Sequence, residues 1–437
     1  VVAQSRRPAS PSECERRSEE GEADESDGEE FTCRTLADVP DIHHLSHNHR
    51  STRAILDLAA SIIDVLVHFF PDKIDKLQRE VSQVDSPTRP VFITGMTFDK
   101  ALDIVFKRAQ DTSGGGSQRT LREFGAEQAA LVWTEAAKAR VKERFPLSFV
   151  FTIHDSKGLE FDDVLILNPF SDMGQSAGKD SARLWCLLYR CMLDLGLSCD
   201  DPIASRRAFP FDENVHGLLC SWLKALYVAV TRARCRVWIF EESDLGAPAL
   251  AYWKAADLVR VVSSEADAAA PDLAAGFAKT TGAAQDFIEK GKEMIKLRKY
   301  TEAIHILERA AHGHKPEERF CAECWQRFAG AALKFQESSH HVDRLARAKK
   351  LEAGRELRCL AGDVEAKGAH WKPHGFNVKQ LYRKAAEWCV DAFAFGEGAE
   401  SYEQAGDPRS AGQAWEAAQE WGRAGDAWAR ARPHSCA

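Results

Sequence analysis

From about residue 31 to residue 244 the chain alternates short β-branched and aromatic runs with stretches whose apolar positions recur every three to four residues. That alternation is how an α/β domain with flanking helices reads. PVFITG (90–95) predicts a strand; SFVFTI (148–153), DDVLILNPF (162–170) and RVWIF (236–240) predict strands of the buried type, apolar at successive positions. Ile55, Leu58, Ile62, Leu66 and Phe69 keep helical spacing up to Pro71, with Ser51 or Thr52 as the N-cap. Helices are expected over 99–110, 125–145 and 215–234, the first two separated by the loop DTSGGGSQR. Residues 245–262, with Tyr252, Trp253 and Lys254, are expected to begin an accessory helix after this domain.

SSEADAAAPDLAAG (263–276) loses both periodicities and predicts a linker. Beyond it only helical spacing remains. DFIEKGKEMIKLRKYTEAIHILERAA predicts a two-helix repeat with its turn near 298–300 and small Ala303 where the helices touch. The closing stretch repeats Trp or Tyr followed by Ala and Gly-Asp turns. Aromatic knobs set against Ala or Gly holes are what stacked helical hairpins need, so residues 277–437 predict an all-α solenoid of tetratricopeptide (TPR) type. Trp388, Trp415, Trp421 and Trp428 are assigned to its core in preference to a stacking platform for bases.

Composition adds boundaries. Residues 1–30 carry ten acidic side chains between Glu13 and Glu30 and almost no large apolar ones, so this segment is expected to be disordered. The α/β domain then spans 31–262. Across 437 residues, 58 Lys and Arg face 66 Asp and Glu, a formal charge of −8, which excludes a whole-molecule basic field. Any nucleic-acid groove has to be local. Twelve cysteines from Cys14 to Cys436, irregularly spaced, favour reduced thiols in a nuclear or cytoplasmic protein. The longest apolar stretch, SIIDVLVHFF, is interrupted by Asp64 and His68 and is too short to span a bilayer.

Three segments carry candidate chemistry. In LSHNHRST (45–52), Arg50 stands before a helix start, where a guanidinium can grip a phosphate; the alternative is a solvated arginine beside an N-cap. In FTIHDSKGLEFDDV (151–164), a polar turn follows a buried strand, a common place for ligands in α/β sheets. Thr152, His154, Ser156 and Lys157 supply donors for phosphate oxygens and Glu160 a carboxylate for ribose hydroxyls; in the alternative, Lys157 and Glu160 face water and Gly158 only turns the chain. In LKALYVAVTRARCRVWIF (223–240), Leu226, Val230 and Ala233 form an inner stripe, and Arg232 and Arg234 end the helix, where the macrodipole alone would favour them.

NHRS, TIHDSKGLEFDDV and LYVAVTRAR, in this order, closely resemble motifs IV, V and VI of UvrD-like superfamily 1 helicases, in the second RecA-like domain. With the helical tail, the chain looks most like the helicase-like type that carries TPR and ankyrin repeats. The resemblance implies an ATP-dependent motor domain in which Arg50 and Arg232 reach the γ-phosphate, Arg232 as an arginine finger. It implies further that Glu160 binds the ribose and that Lys157 and Gly158 hold the turn. Thr152 and His154 would couple the nucleotide to a single-stranded DNA or RNA track. His49 stands where the family has a base-stacking Tyr, and Ser221, Trp222, Leu223 and Lys224 replace its usual Glu and Arg.

The family's P-loop, GxxxxGK[ST], and acidic Mg²⁺ pair are not in these residues; Asp162 and Asp163 belong to the motif V segment. With Val as its first residue, the chain is therefore expected to be the C-terminal part of a longer helicase-like polypeptide whose upstream RecA-like domain holds ATP and Mg²⁺. The reading from another class is a non-catalytic scaffold that binds protein partners through its repeats. No metal site is assigned: His312, His314, Cys321 and Cys324 have HxH…CxxC order, but the cysteines fit a helix core better than zinc. The pairs His43-His44 and His340-His341 and the basic group Arg344, Arg347, Lys349 and Lys350 read as solvated surface.

Overall fold

The computed structural model describes residues 46–75, 78–85, 88–101, 125–144, 149–176, 181–198, 204–268, 283–311, 315–339, 344–368 and 375–431. The acidic segment 1–30, His43-His44, His312, His314, His340-His341, the loop 111–119, nearly all of the expected helix 99–110 and residues 269–276 of the expected linker lie outside them.

The centre is a parallel six-stranded sheet in the order β5-β4-β6-β7-β3-β8: β3 (Val91–Ile93), β4 (Gln128–Val132), β5 (Val150–Thr152), β6 (Phe161–Leu167), β7 (Ala233–Phe240) and β8 (Arg260–Val262). A parallel pair, β1 (His47–Thr52) with β2 (Val81–Val84), stands beside it. Successive residues of each central strand feed opposite cores. Leu131, Val164, Ile166, Val237 and Ile239 face α1 (Arg53–Phe69) and α5 (Leu218–Val230), in the core shared with α3 (Pro169–Ser176) and α4 (Leu187–Asp194); Val132, Leu165, Leu167, Trp238 and Phe240 face α2 (Glu135–Arg144). Burial on both faces is why these strands are continuously apolar.

Four expectations change. Residues 125–145 form not one helix but β4 followed by α2. Residues 215–234 are also divided: α5 ends at Val230, and β7 begins at Ala233 because the Phe161 amide donates to the Arg232 carbonyl at 3.0 Å, drawing the chain into the sheet. Arg232 thus lies in the connecting turn and Arg234 on the strand. Neither Ser51 nor Thr52 caps α1 with its side chain; their hydroxyls donate to the carbonyls of Ala233 (3.1 Å) and Cys235 (3.4 Å), fastening β1 to β7. Finally, the expected accessory helix, α6 (Ala247–Ala255), leads into β8, which completes the sheet.

The C-terminal region is helical throughout the described residues: α7 (Ala284–Lys296), α8 (Tyr300–Ala311), α9 (Pro316–Ser338), α10 (Arg344–Ala366), α11 (Val378–Asp391), α12 (Phe395–Ala405), α13 (Pro408–Ala417) and α14 (Trp421–Ala431), each packed on the next. Gly291 lets α8 close on α7, since a Cβ there would stand 2.6 Å from Leu307. Gly406 ends α12 in the left-handed region (φ 73°) and Asp407 caps α13 through the Ser410 amide at 3.2 Å, the expected Gly-Asp turn. Gly425-Asp426, by contrast, lies inside α14. Trp388 stacks on Phe335, Trp415 is buried and Trp428 covers Gly412, but Trp421 is 68% exposed and contributes no core. The basic group on α10 is only partly solvated: Arg347 lies over Phe393, Lys350 over Phe335, and Lys349 pairs with Glu337.

This region is not a free tail. Phe287, Ile288, Leu307 and Ala310 belong to the same core as the sheet residues Phe151 and Phe161. Arg309 lies over Phe149 and Phe287, whose rings meet edge to face at 6.0 Å. Among the described residues no helix is long and apolar enough to cross a membrane.

Candidate functional site

The turn between β5 and β6 organises the site. Gly158 (φ 83°) supplies the left-handed step, and Ser156, fully buried, donates to the Ile153 carbonyl at 2.7 Å. Thr152 is buried, and its hydroxyl oxygen accepts from the Asp155 amide at 3.1 Å; His154 and Lys157 are exposed. The register aligns Thr152 with Val132, at the C-terminal edge of the sheet, and Phe161 with Ala233, at its N-terminal edge. The turn thus runs along the sheet from one edge to the other. At ~3.3 Å per residue, the six steps of β6 from Phe161 to Leu167 separate those edges by about 20 Å.

At the N-terminal edge three segments converge. Arg50 donates to Glu160 Oε1 at 2.5 Å, with both side chains partly exposed. Asn48 shapes the approach: its Oδ1 accepts the amides of Arg50 and Ser51, and its Nδ2 donates to Glu80 at 2.6 Å. Arg232 donates to the carbonyls of Val228 (3.2 Å) and Leu159 (3.1 Å). Burial and, second, the charge of Arg50 lower the pKa of its guanidinium, while Glu160 and Tyr227 oppose that shift. Lowered from so high a value, the group stays cationic at neutral pH. Tyr227, which sequence reasoning did not single out, also belongs here: burial raises its phenol pKa, and Glu80, Arg50 and Arg232 are its charged neighbours. Its position just over one helical turn before Arg232 was the available signal.

Arg50, Glu160 and Arg232 are therefore brought together, with exposed His49 next to Arg50 and Gly158 in the same turn. Thr152 and His154 stand toward the opposite edge. Arg234 is committed elsewhere, to Glu127 (2.7 Å) and Asp162 (3.0 Å). Two guanidiniums beside a carboxylate suit a polyphosphate joined to a sugar: the arginines match phosphate oxygens, and Glu160 can accept from hydroxyls. An ion pair this exposed contributes only about 0–1 kcal/mol, so an anionic ligand can open it cheaply. Among the described residues no group of three His, Cys, Asp or Glu side chains could hold a metal ion. Cys321 and Cys324 are buried in α9, and burial pushes the Cys324 thiol up to about 12.

A cavity of ≈ 240 Å³ opens at the C-terminal edge, between Phe98, Val132, Arg140, Leu167, Asn168 and Asp172. Burial pushes the Asp172 carboxyl up to about 6, only partly relieved by Arg140 at 3.6 Å. The native state thus holds this proton more tightly than the unfolded chain does. Its contribution to stability is fully present below about pH 4 and is lost as the pH rises through about 6. Asp172→Asn is expected to raise stability at neutral pH by about 1–3 kcal/mol and to flatten this dependence, as read from urea midpoints across the acidic range.

No protein-family model matches the chain. The human TPR and ankyrin repeat-containing protein 1 is 34% identical over 240 residues, 51% of this chain and 8% of that protein, so the match spans less than a tenth of the relative. Among solved structures, the C-terminal domain of a possible DNA helicase from Lactobacillus plantarum WCFS1 aligns with 50% of this chain and 99% of its own length. The identity is 13% and the TM-score 0.25.

Proposed function

We propose that this chain is the second motor domain of a UvrD-like superfamily 1 helicase with an α-helical TPR-like region attached. In this reading an upstream RecA-like domain of the same polypeptide binds ATP and Mg²⁺. The present chain adds Arg50 and Arg232 against the γ-phosphate, Glu160 against the ribose and His49 beside the base. Thr152 and His154 serve a single-stranded DNA or RNA track, and the helical region takes protein partners. The observation that carries the reading is the convergence of Arg50, Glu160 and Arg232, remote in sequence, at one edge of a parallel sheet. Half-buried Arg232 answers the carbonyls of Val228 and Leu159 with two donors, and the like charge of Arg50 beside it adds nothing to packing, whereas a phosphate can use both guanidiniums.

The test uses the 437-residue chain joined to a P-loop-bearing RecA-like domain, with photo-crosslinking of azido-ATP to peptides of the present chain and fluorescence anisotropy of a labelled single-stranded oligonucleotide. Crosslinking is expected, and Arg50→Ala or Glu160→Ala should each weaken it. Oligonucleotide binding is expected to fall with salt and with His154→Ala. Absence of both activities, or crosslinking that survives Arg50→Ala, Glu160→Ala and Arg232→Ala combined, overturns the motor reading in favour of a scaffold.

A further inference from the structure

We infer that Lys290 and Lys299, on the first helical hairpin, are positioning residues that hold the two ends of the 153–160 turn, fixing Glu160 relative to Thr152 and His154; this rests on the motor reading above. Lys290 is 3% exposed. Its ammonium donates to the Glu160 carbonyl at 2.8 Å, faces Glu127 at 3.4 Å and Glu293 at 3.0 Å, and lies 4.7 Å from the Phe161 ring centroid. Lys299 donates to the carbonyl of Asp155, near the other end of the turn. From the opposite side Lys138 on α2 pairs with the Asp155 carboxylate at 2.9 Å.

A buried ammonium is costly unless every donor is used. A hairpin that only packed against the sheet would do better with Met at position 290. What the charge adds is a directed bond to the main chain of the residue whose carboxylate pairs with Arg50. With Lys299 at the far end, the hairpin spans a turn whose edges lie about 20 Å apart along β6. Moving that turn at one end then requires moving it at the other, so the helical region sets how tightly the nucleotide end and the nucleic-acid end respond to one another.

Lys290→Met, Lys290→Arg and Lys299→Ala in the 437-residue chain test this. Two readouts apply: amide hydrogen exchange over residues 153–161, and, in the chain joined to a P-loop-bearing RecA-like domain, the ratio of oligonucleotide dissociation constants with and without saturating ATP. With thermal midpoints unchanged, Lys290→Met and Lys299→Ala should speed exchange over 153–161 and bring an ATP-dependent ratio of about fivefold or more close to one. Lys290→Arg should largely restore both. Lys299→Ala removes a partly exposed side chain, so it serves even if Lys290→Met fails to fold. Unchanged exchange in the variants overturns the positioning role whatever the wild type binds. Faster exchange in the variants of a chain that binds neither ATP nor oligonucleotide supports the clamp and overturns the motor reading alone.

Discussion

Alanine at position 232, in a polypeptide joining this chain to a P-loop-bearing RecA-like domain, is expected to lower nucleic-acid-stimulated ATP turnover by about 10³–10⁵-fold. Charge accumulates on the transferring phosphoryl oxygens in the transition state, and a fixed cation there is worth most where water is scarce. Arg232 meets both conditions: it is half-buried, and the carbonyls of Val228 and Leu159 hold its guanidinium from two sides. Those bonds leave donors of the fork free for an incoming phosphate. Their loss in Arg232→Ala costs about 1–3 kcal/mol each, and the Val228 carbonyl keeps the Thr231 hydroxyl as a donor. The substitution should therefore spare the fold and act on kcat far more than on KM. Arg232→Lys should recover only part of the rate, because one ammonium cannot hold both carbonyls and reach the phosphate. A loss below about tenfold would remove Arg232 from the transition state. Nucleic-acid-stimulated ATP hydrolysis by the present chain alone, abolished by Arg232→Ala, would remove the need for an upstream domain.

The strands that the sequence revealed are those buried on both faces by large side chains. DDVLIL and RVWIF could hardly be anything else, and they became β6 and β7. The central strand β4 was hidden in Gln-Ala-Ala-Leu-Val, since alanines favour a helix locally. Between β5 and β6, small Ala129 and Ala130 suffice because neighbouring strands fill the space, and pairing overrides propensity. Ser51 and Thr52 read as caps for the same local reason, whereas their hydroxyls serve β7, about 180 residues away. The 153–160 turn was legible as polar residues after a buried run. Its meeting with Arg50 and Arg232 was legible only through family resemblance, since nothing local links such distant segments. Lys290 gave no signal at all: in DFIEKGKEMIK it reads like Lys292 or Lys296, and only tertiary contacts with Glu127, Glu160 and Phe161 distinguish it.

Asp163→Ala is expected to cost about 3–5 kcal/mol, the range for removing one partner of a buried ion pair. Asp163 is 1% exposed on β6; its Oδ1 and Oδ2 accept from Arg236 of β7 at 2.6 and 2.7 Å, and Oδ2 also accepts from Gln128 of β4 at 2.9 Å. One carboxylate thus ties three adjacent strands together just beyond the turn that carries Glu160. Without it, the Arg236 guanidinium, 17% exposed, loses the two bonds that the carboxylate accepts. Asp163→Asn keeps the shape and one acceptor oxygen and should cost less. Asp163→Ala combined with Arg236→Met removes both charges and should recover much of the loss, since apolar replacement of a whole buried pair is often near neutral. Urea midpoints at constant m separate these outcomes, and a cost below about 1 kcal/mol for Asp163→Ala would mean the strands hold without the carboxylate. Because the loss would fall on the β4-β6-β7 ladder, it should also loosen the edge where Arg50, Glu160 and Arg232 meet. Asp163 thereby supports the site through the sheet, without itself reaching a ligand.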